Sequence, residues 1–261
     1  MNLTLDSGAE RDALHLGEIL LRFESISSTN DIAKRLARKG LPEGTVVLAK
    51  MQYLGRGRAD KSWFSPLGGL WFSVILRPRV PPSSISLIPI AAGVSTARTI
   101  RRLFQLDVVL KWPNDVMAGA RKVAGILTES SAAVDGCYVI VGFGINANNS
   151  CASMPPQLRD ETISLSDMLS SEINVDRLMQ EHLKEFAEVY GMILTNDSAD
   201  LVTEWKRLTD MLRQPILVYE DEASFEAIAV DLDSDGALLV QTEDGTLRRL
   251  LSANISIRRV K

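Results

Sequence analysis

Past about Arg213 the chain changes character. PILVYE, SFEAIAVDLD, ALLVQT, LRRLL and ISIRRV are five short strand-like runs within about fifty residues, separated by turn signals such as DSDG and EDG. Five strands that short, with turns that tight, point to a small antiparallel barrel. Everything before them mixes helical and strand patterns, so the fold class is α+β: a mixed β-sheet packed with helices, followed by a small β-barrel. The division predicted is residues 1–212 and 213–261.

Within the first part, Leu20–Ile26 reads as a strand, and SSTNDIAKRLARKG opens on hydroxyl N-cap candidates and closes on Gly40, a suitable residue just past a helix. Thr45–Met51 and Leu70–Leu76 are β-branched or aromatic runs of strand type. A helical pattern covers Ser84–Phe104. VVLKW and VAGILTE flank a turn-like PNDVMAGARK, and CYVIVGFGIN is another strand. NANNSCASMPPQLRDETISL is too polar and proline-rich for regular structure and reads as a long loop. Val175–Leu194 is the clearest helix: Met179, Leu183, Phe186, Tyr190 and Ile193 fall on one face at helical spacing, a core stripe. His182 falls beside that stripe, on a face read as solvated. A further helix spans about Ala199–Leu208.

The 261 residues carry a net charge of −4, and the sequence pI is near 5.4, so a general nucleic-acid binder is not expected. Any cationic site must be local. Cys137 and Cys151, with no histidine nearby, make neither a zinc site nor a disulfide framework and read as small apolar residues. The first residues, MNLTLDSGAERD, are acidic and polar rather than a signal peptide, and the longest uncharged run, VPPSSISLIPIAAGVSTA, is too polar to span a membrane. A soluble, cytoplasmic protein is expected.

That local cationic site is GRGRADKSWFSPLGGLWFS, Gly55–Ser73. Glycines let backbone N–H groups approach a ligand, and arginines pair bidentately with carboxylate or phosphate. A solvated surface loop does not ordinarily carry Trp63, Pro66, Gly68, Gly69 and Trp71 into an apolar strand, so the segment reads as a lid that orders over an anion. KWPND places Lys111, Trp112, Asn114 and Asp115 at the end of a strand. PND is also a common turn, and on its own it is as well explained by capping. Lys122 stands directly before the apolar VAGIL, as an exposed lysine or as a point charge for a carboxylate or phosphate. VGFGINANN has the G-x-G-x-x-A spacing of a dinucleotide fingerprint after a strand, but NNSCASMPP cannot supply the helix whose N-terminus holds a pyrophosphate. The two histidines, His15 and His182, lie far from every motif, and neither G-x-S-x-G nor a phosphate-loop pattern occurs. The chemistry left is electrostatic catalysis between anions by Arg, Lys, Asp, Asn and backbone donors.

Taken together, SSTN, Q-x-x-GRGR-x-x-x-x-W-x-SP-x-GG-x-W-x-S, KWPND, K-x-AGIL-x-E and G-x-G-x-N-x-N resemble, in order, the motifs of the biotin–protein ligases, from about Phe23 to the C-terminus. The resemblance implies a class II synthetase-like (biotin–lipoate ligase-like) catalytic domain with a C-terminal SH3-like β-barrel. It implies ATP as co-substrate, biotin as substrate, Mg²⁺ with the nucleotide, a biotin carboxyl carrier protein or domain as acceptor, and the homodimer common among such enzymes. Ser28, Thr29, Asn30 and Gln52 match the positions around biotin's ureido ring. Arg56, Gly57 and Arg58 match the lid over biotin and the adenylate phosphate, with Lys61 on the phosphates and Trp63 packed over the intermediate. Lys111, Asn114 and Asp115 match positions that steady Mg–ATP, with Asp115 also a candidate acceptor of the incoming lysine's proton. Lys122 matches the lysine between carboxylate and α-phosphate, and Asn146 an asparagine on the nucleotide side. Arg58, Lys122 and Asp115 are the residues expected to carry the chemistry, with no metal held by the protein itself.

Three features depart from the pattern. Lys61 stands where many members have arginine, which loses the bidentate fork. Asp60 puts an anion in the lid, and SANIS replaces a usual Gly-Glu pair near the end. About twenty residues precede the first strand, too few for a three-helix DNA-binding module, so a form without nucleic-acid binding is expected. A lipoate- or octanoate-transferring relative and a biotin-sensing regulator or non-catalytic biotin binder stay open as alternatives.

Overall fold

A computed structural model describes residues 16–59, 61–133, 136–150, 154–195, 197–220, 223–251 and 255–259. The expectations placed on Cys151, on Asp60 and on most of SANIS lie outside the described residues. Cys137 is half-buried and free.

Seven strands form one sheet: β1 (Leu20–Ile26), β2 (Val46–Gln52), β3 (Leu70–Leu76), β4 (Val109–Lys111), β5 (Asp115–Ala118), β6 (Arg121–Ala133) and β7 (Gly136–Ile145), in the order β1-β2-β3-β7-β6-β5-β4. Strands β1 and β2 are parallel, joined by helix α1 (Thr29–Arg38), and the remaining pairs are antiparallel. The turn-like segment after KWPND therefore contains a strand. Gly119, at φ +56, turns β5 back into β6, a left-handed backbone that suits glycine.

Both faces of this sheet are covered. On β3, Leu70, Phe72, Val74 and Leu76 pack into the larger core together with helices α3 (Ile88–Phe104), α6 (Val175–Leu194) and α7 (Ser198–Leu208), while Ile75 joins α1 in a smaller cluster. A strand buried on both faces reads as a continuous apolar run rather than an alternation, as LWFSVIL does. The α6 stripe is buried as expected, but so is His182, at 0 % exposure. Its face is not solvated, because α3 lies along it. The imidazole Nε2 is 2.9 Å from Thr96 Oγ1, and the rings of Phe72, Phe143 and Phe186 surround it. Helix α6 thus buries a second row, Leu178, His182, Glu185 and Val189, beside the one that periodicity selects.

Helix α2 (Pro82–Ile85) precedes α3; the expected long loop holds one short helix, α4 (Pro156–Arg159), and a second, α5 (Leu165–Leu169), begins at its last residue. The loop is fastened to β6: the Lys122 amide donates to Glu161 O at 2.8 Å, and the Ile163 amide to Lys122 O at 3.0 Å. Proline at the first helical position and a serine cap, Ser164, whose hydroxyl accepts from the Asp167 amide, let this polar stretch form structure that hydropathy does not announce.

The C-terminal strands β8 (Pro215–Glu220), β9 (Ala223–Leu232), β10 (Leu238–Thr242), β11 (Leu247–Leu250) and β12 (Ile255–Arg259) make a five-stranded antiparallel sheet ordered β11-β10-β9-β8-β12. Its inward residues, among them Ile216, Val218, Ala229 and Val240, belong to the same apolar core as the larger sheet. The tryptophan of KWPND makes one of the polar joins: Trp112 Nε1 donates to Gly236 O at 3.0 Å, in the DSDG turn.

Candidate active site

Along β7 the face shared with α1 runs Tyr138, Ile140, Gly142, Gly144. The first two are buried under α1; the glycines that follow leave the sheet bare. Gly125 of β6 is the register partner of Gly144, and Leu127 that of Gly142. Over this bare floor lies a cavity of about 300 Å³. The glycines are therefore not a nucleotide fingerprint; their missing side chains let Asn30 and Trp63 lie directly against the sheet at the cavity.

One end of the cavity is a buried polar network. Thr29 closes on Gln52, whose Oε1 accepts from the Thr29 amide at 2.7 Å and from its hydroxyl at 3.1 Å. Ser73 Oγ lies 2.7 Å from Thr29 Oγ1 and 2.6 Å from Asn30 Oδ1. Asn30 Nδ2 donates to Leu127 O and, at 2.8 Å, to Glu129 Oε2. Ser28 is the extended residue before α1, yet its hydroxyl caps nothing; the side chain lines the cavity instead. A Cβ on Gly142 would stand 2.1 Å from Asn30 Oδ1. Because that amide is held by three partners it cannot step aside. Gly142→Ala should destabilise the fold by about 1–3 kcal/mol, the usual cost of breaking one buried polar contact, as urea unfolding would show.

The roof is the GRGR segment, and it is an antiparallel ladder rather than an irregular loop. Gln52 pairs with Ser65 and Arg56 with Ser62, and the Trp63 amide donates to Gly55 O at 2.8 Å. The turn is closed by Gly57 N to Lys61 O at 2.7 Å, with Ala59 at φ 49. The Trp63 ring lies against the floor glycines: a Cβ on Gly144 would be 2.5 Å from Nε1, and one on Gly125 2.8 Å from Cζ3. That Nε1–H is buried and has no hydrogen-bond partner among the described residues.

The other end is charged. Lys122 Nζ is 2.8 Å from Asp115 Oδ2 and 5.6 Å from the centre of the Trp63 ring. Arg58 NH1 donates to Asn114 Oδ1 at 3.2 Å, while Asn114 Nδ2 is anchored on Ile126 O at 2.7 Å. Burial pushes the Arg58 guanidinium below its ordinary range, and the Asp115 carboxylate partly restores it. Its proton is thus held less firmly than in water, and an arriving anion would be strongly favoured. Around the cavity Arg56, Arg58, Lys61 and Lys122 face Asp115 and Glu161. A chain of net negative charge has gathered a local positive excess.

Ser28, Thr29, Asn30, Gln52, Arg56, Gly57, Arg58, Lys61, Trp63, Asn114, Asp115, Lys122 and Asn146 all line this one cavity. Lys111 does not line it; it stays half-buried at the end of β4, opposite Asp115 in the ladder. Asn146 is buried, with Nδ2 3.4 Å from Lys122 O and Oδ1 accepting from Asn149. Met154, Leu158, Glu161 and Thr162 complete the wall, from the stretch read as loop.

The Biotin/lipoate A/B protein ligase family profile matches residues 22–146, and the Biotin protein ligase C terminal domain profile matches residues 214–258. The bifunctional ligase/repressor BirA of Bacillus spizizenii is 32% identical over 244 residues, covering 93% of this chain and 75% of that one. The chain belongs to the biotin/lipoate A/B protein ligase family. Within it, the biotin--[acetyl-CoA-carboxylase] ligase of Paracoccus denitrificans is 28% identical, over 84% of this chain and 92% of its own. Among solved members, the biotin protein ligase from Aquifex aeolicus in complex with biotin and ATP superposes with a TM-score of 0.82 at 27% identity, covering 94% of this chain and all of that one.

Proposed function

We propose that this chain is an ATP-dependent biotin–protein ligase. In the first step a carboxylate oxygen of biotin attacks the α-phosphorus of ATP and the bond to pyrophosphate breaks, leaving biotinyl-5′-AMP. In the second, the ε-amine of one lysine on a biotin carboxyl carrier protein or domain attacks the acyl carbon, AMP departs, and the amine proton passes to a base. The observation that supports this best is the polarity of the cavity: an amide- and hydroxyl-lined end suited to a ureido ring, and an Arg58–Lys122 end suited to anions.

Two unit charges about 4 Å apart repel by about 4 kcal/mol at an effective dielectric near 20, so bringing carboxylate to phosphate needs fixed cations. Lys122 and Arg58 hold that place in the proposal, and Asp115, already at hydrogen-bond distance from Lys122, takes the amine proton. The roof ladder excludes water while the mixed anhydride waits for its amine. Among the described residues no group of three His, Cys, Asp or Glu side chains converges to cage a metal. Magnesium carried by phosphates needs only one or two protein oxygens, and Asp115 and Asn114 are of that kind. When bound it would neutralise phosphate charge.

A homodimer and a cytoplasmic setting belong to the same proposal, as does the division into units 1–212 and 213–261, which the two sheets and the two profile matches support. Among the described residues no helix is long and apolar enough to cross a membrane.

The test is incubation with ATP, Mg²⁺, labelled biotin and a carrier domain, beside the same reaction with lipoate. Label on one carrier lysine, only with ATP and only from biotin, is the expected result; transfer of lipoate instead would favour the lipoate relative. Arg58→Gly should release free adenylate about tenfold faster, the scale of one charge-assisted contact, and adenylate retention equal to wild type would remove Arg58 from the roof's role.

A further inference from the structure

The two arginines of the roof do different work. Arg58 reaches the anion end of the cavity. Arg56 turns the other way: NH1 is 2.9 Å from Asp31 Oδ1 on α1, and NH2 is 3.2 Å from Glu129 Oε1 on β6. Glu129 is the better placed of these acids. Its side chain is 17 % exposed, its second oxygen accepts from Asn30 Nδ2 at 2.8 Å, and Lys34 makes a further ion pair with it. One carboxylate thus joins the roof, helix α1 and the polar end of the cavity. Two acids and two bases, Asp31 and Glu129 with Arg56 and Lys34, form a balanced cluster.

We infer that Glu129 is a positioning residue for the ligase reaction, holding the roof ladder shut through Arg56 while fixing the Asn30 amide. The chemistry is specific. A carboxylate can accept from a guanidinium and an amide together, and a half-buried charge-assisted pair holds more firmly than an exposed one. Arg56 is accordingly a fastening placed away from the reacting phosphate, and Arg58 is the arginine left to meet it. Glu129 is the final residue of K-x-AGIL-x-E, where the sequence alone offers no role. The effect on the adenylate rests on the ligase reading; the closure of the roof does not.

Glu129→Gln keeps an acceptor for Asn30 and removes the charge that holds Arg56. Hydrogen exchange of the free protein reads the roof directly at the Gly57 and Trp63 amides, both donors in its ladder. In Glu129→Gln these should exchange about tenfold faster, the scale of one ion pair lost from a site only partly in solvent. In an Arg56→Ala background, where the roof is already loose, adding Glu129→Gln should change them by less than about twofold, the signature of residues acting through one contact. The same coupling should appear in adenylate leakage, while pyrophosphate release by the unmutated enzyme reports separately on the ligase reading. Equal acceleration with and without Arg56 would show that Glu129 acts elsewhere, and no acceleration would show that it holds nothing; either overturns the inference. Should Glu129→Gln not fold, Glu129→Asp draws the carboxylate back from Arg56 while keeping its charge, and is subject to the same two outcomes.

Discussion

Lys122→Ala should lower the rate of pyrophosphate release by about 10²–10³-fold at saturating biotin and ATP, the usual loss when a preorganised transition-state contact is deleted. The size follows from how rigidly that cation is carried. The Lys122 backbone is bonded on both sides, to Glu161 O and from the Ile163 amide, and Asn146 Nδ2 approaches its carbonyl. Its ammonium sits between the Asp115 carboxylate and the Trp63 ring. No reorganisation is needed when the carboxylate and the α-phosphate come together, so the whole of the charge stabilisation appears in the barrier. Those backbone bonds survive truncation to alanine, so the variant should keep its fold and its thermal midpoint should move by only a few degrees. Lys122→Arg should recover part of the loss, because the charge returns without the compact point geometry. A rate within threefold of wild type would remove Lys122 from the chemistry.

How far the sequence foretold this site depends on the kind of signal each residue left. Strand β1 and helix α6 have the bounds expected of them, because a loose alternation marks the one and an apolar stripe at helical spacing marks the other. The missed pieces are short and polar. Strand β5 is only four residues, starting at the Asp of a Pro-Asn-Asp turn, and its pairing comes from its neighbours rather than from its own propensity. Helices α4 and α5 have similarly little local pattern, yet the residues between them, Glu161 and Ile163, fasten the wall to Lys122. Motif spacing found residues that line one cavity, because their types are chemically unusual in a loop. It included Glu129 without a role and passed over Asp31, ordinary acids that the structure pairs with Arg56. Trp112 shows the reverse: an unusual residue inside a functional motif that is spent on joining the two sheets rather than on the cavity. His182 was misplaced for a related reason: one amphipathic stripe accounts for a helix packed on one side, whereas α6 is packed on two.

That buried imidazole makes the fold sensitive to acid. His182 is fully enclosed, and burial alone pulls it from an ordinary 6.5 down to about 3. The unfolded chain therefore takes up a proton near pH 6.5, whereas the folded chain refuses it until about pH 3. The stability this contributes is present in full above the unfolded value and is lost progressively as the pH falls toward the folded one. At about 1.4 kcal/mol per pH unit of difference, the loss reaches about 5 kcal/mol by pH 3, within the range of a whole domain's stability. Carboxylates titrate over part of the same range, so the comparison has to be with His182→Leu, which cannot take the proton. Urea unfolding at pH 7.5, 6, 5 and 4 should show wild type losing stability faster than the variant, with the gap widening by about 1.4 kcal/mol for each unit below pH 6. At pH 7.5 the variant should itself be weaker, since the contact with Thr96 is gone. The consequence reaches the site: the Phe143 ring is 4.5 Å from the imidazole by centroids, and Phe143 stands between Gly142 and Gly144 on the cavity floor. Parallel stability curves for the two proteins across that range would mean that the imidazole is charged or hydrated within the fold, and that the floor is not held by a dry core.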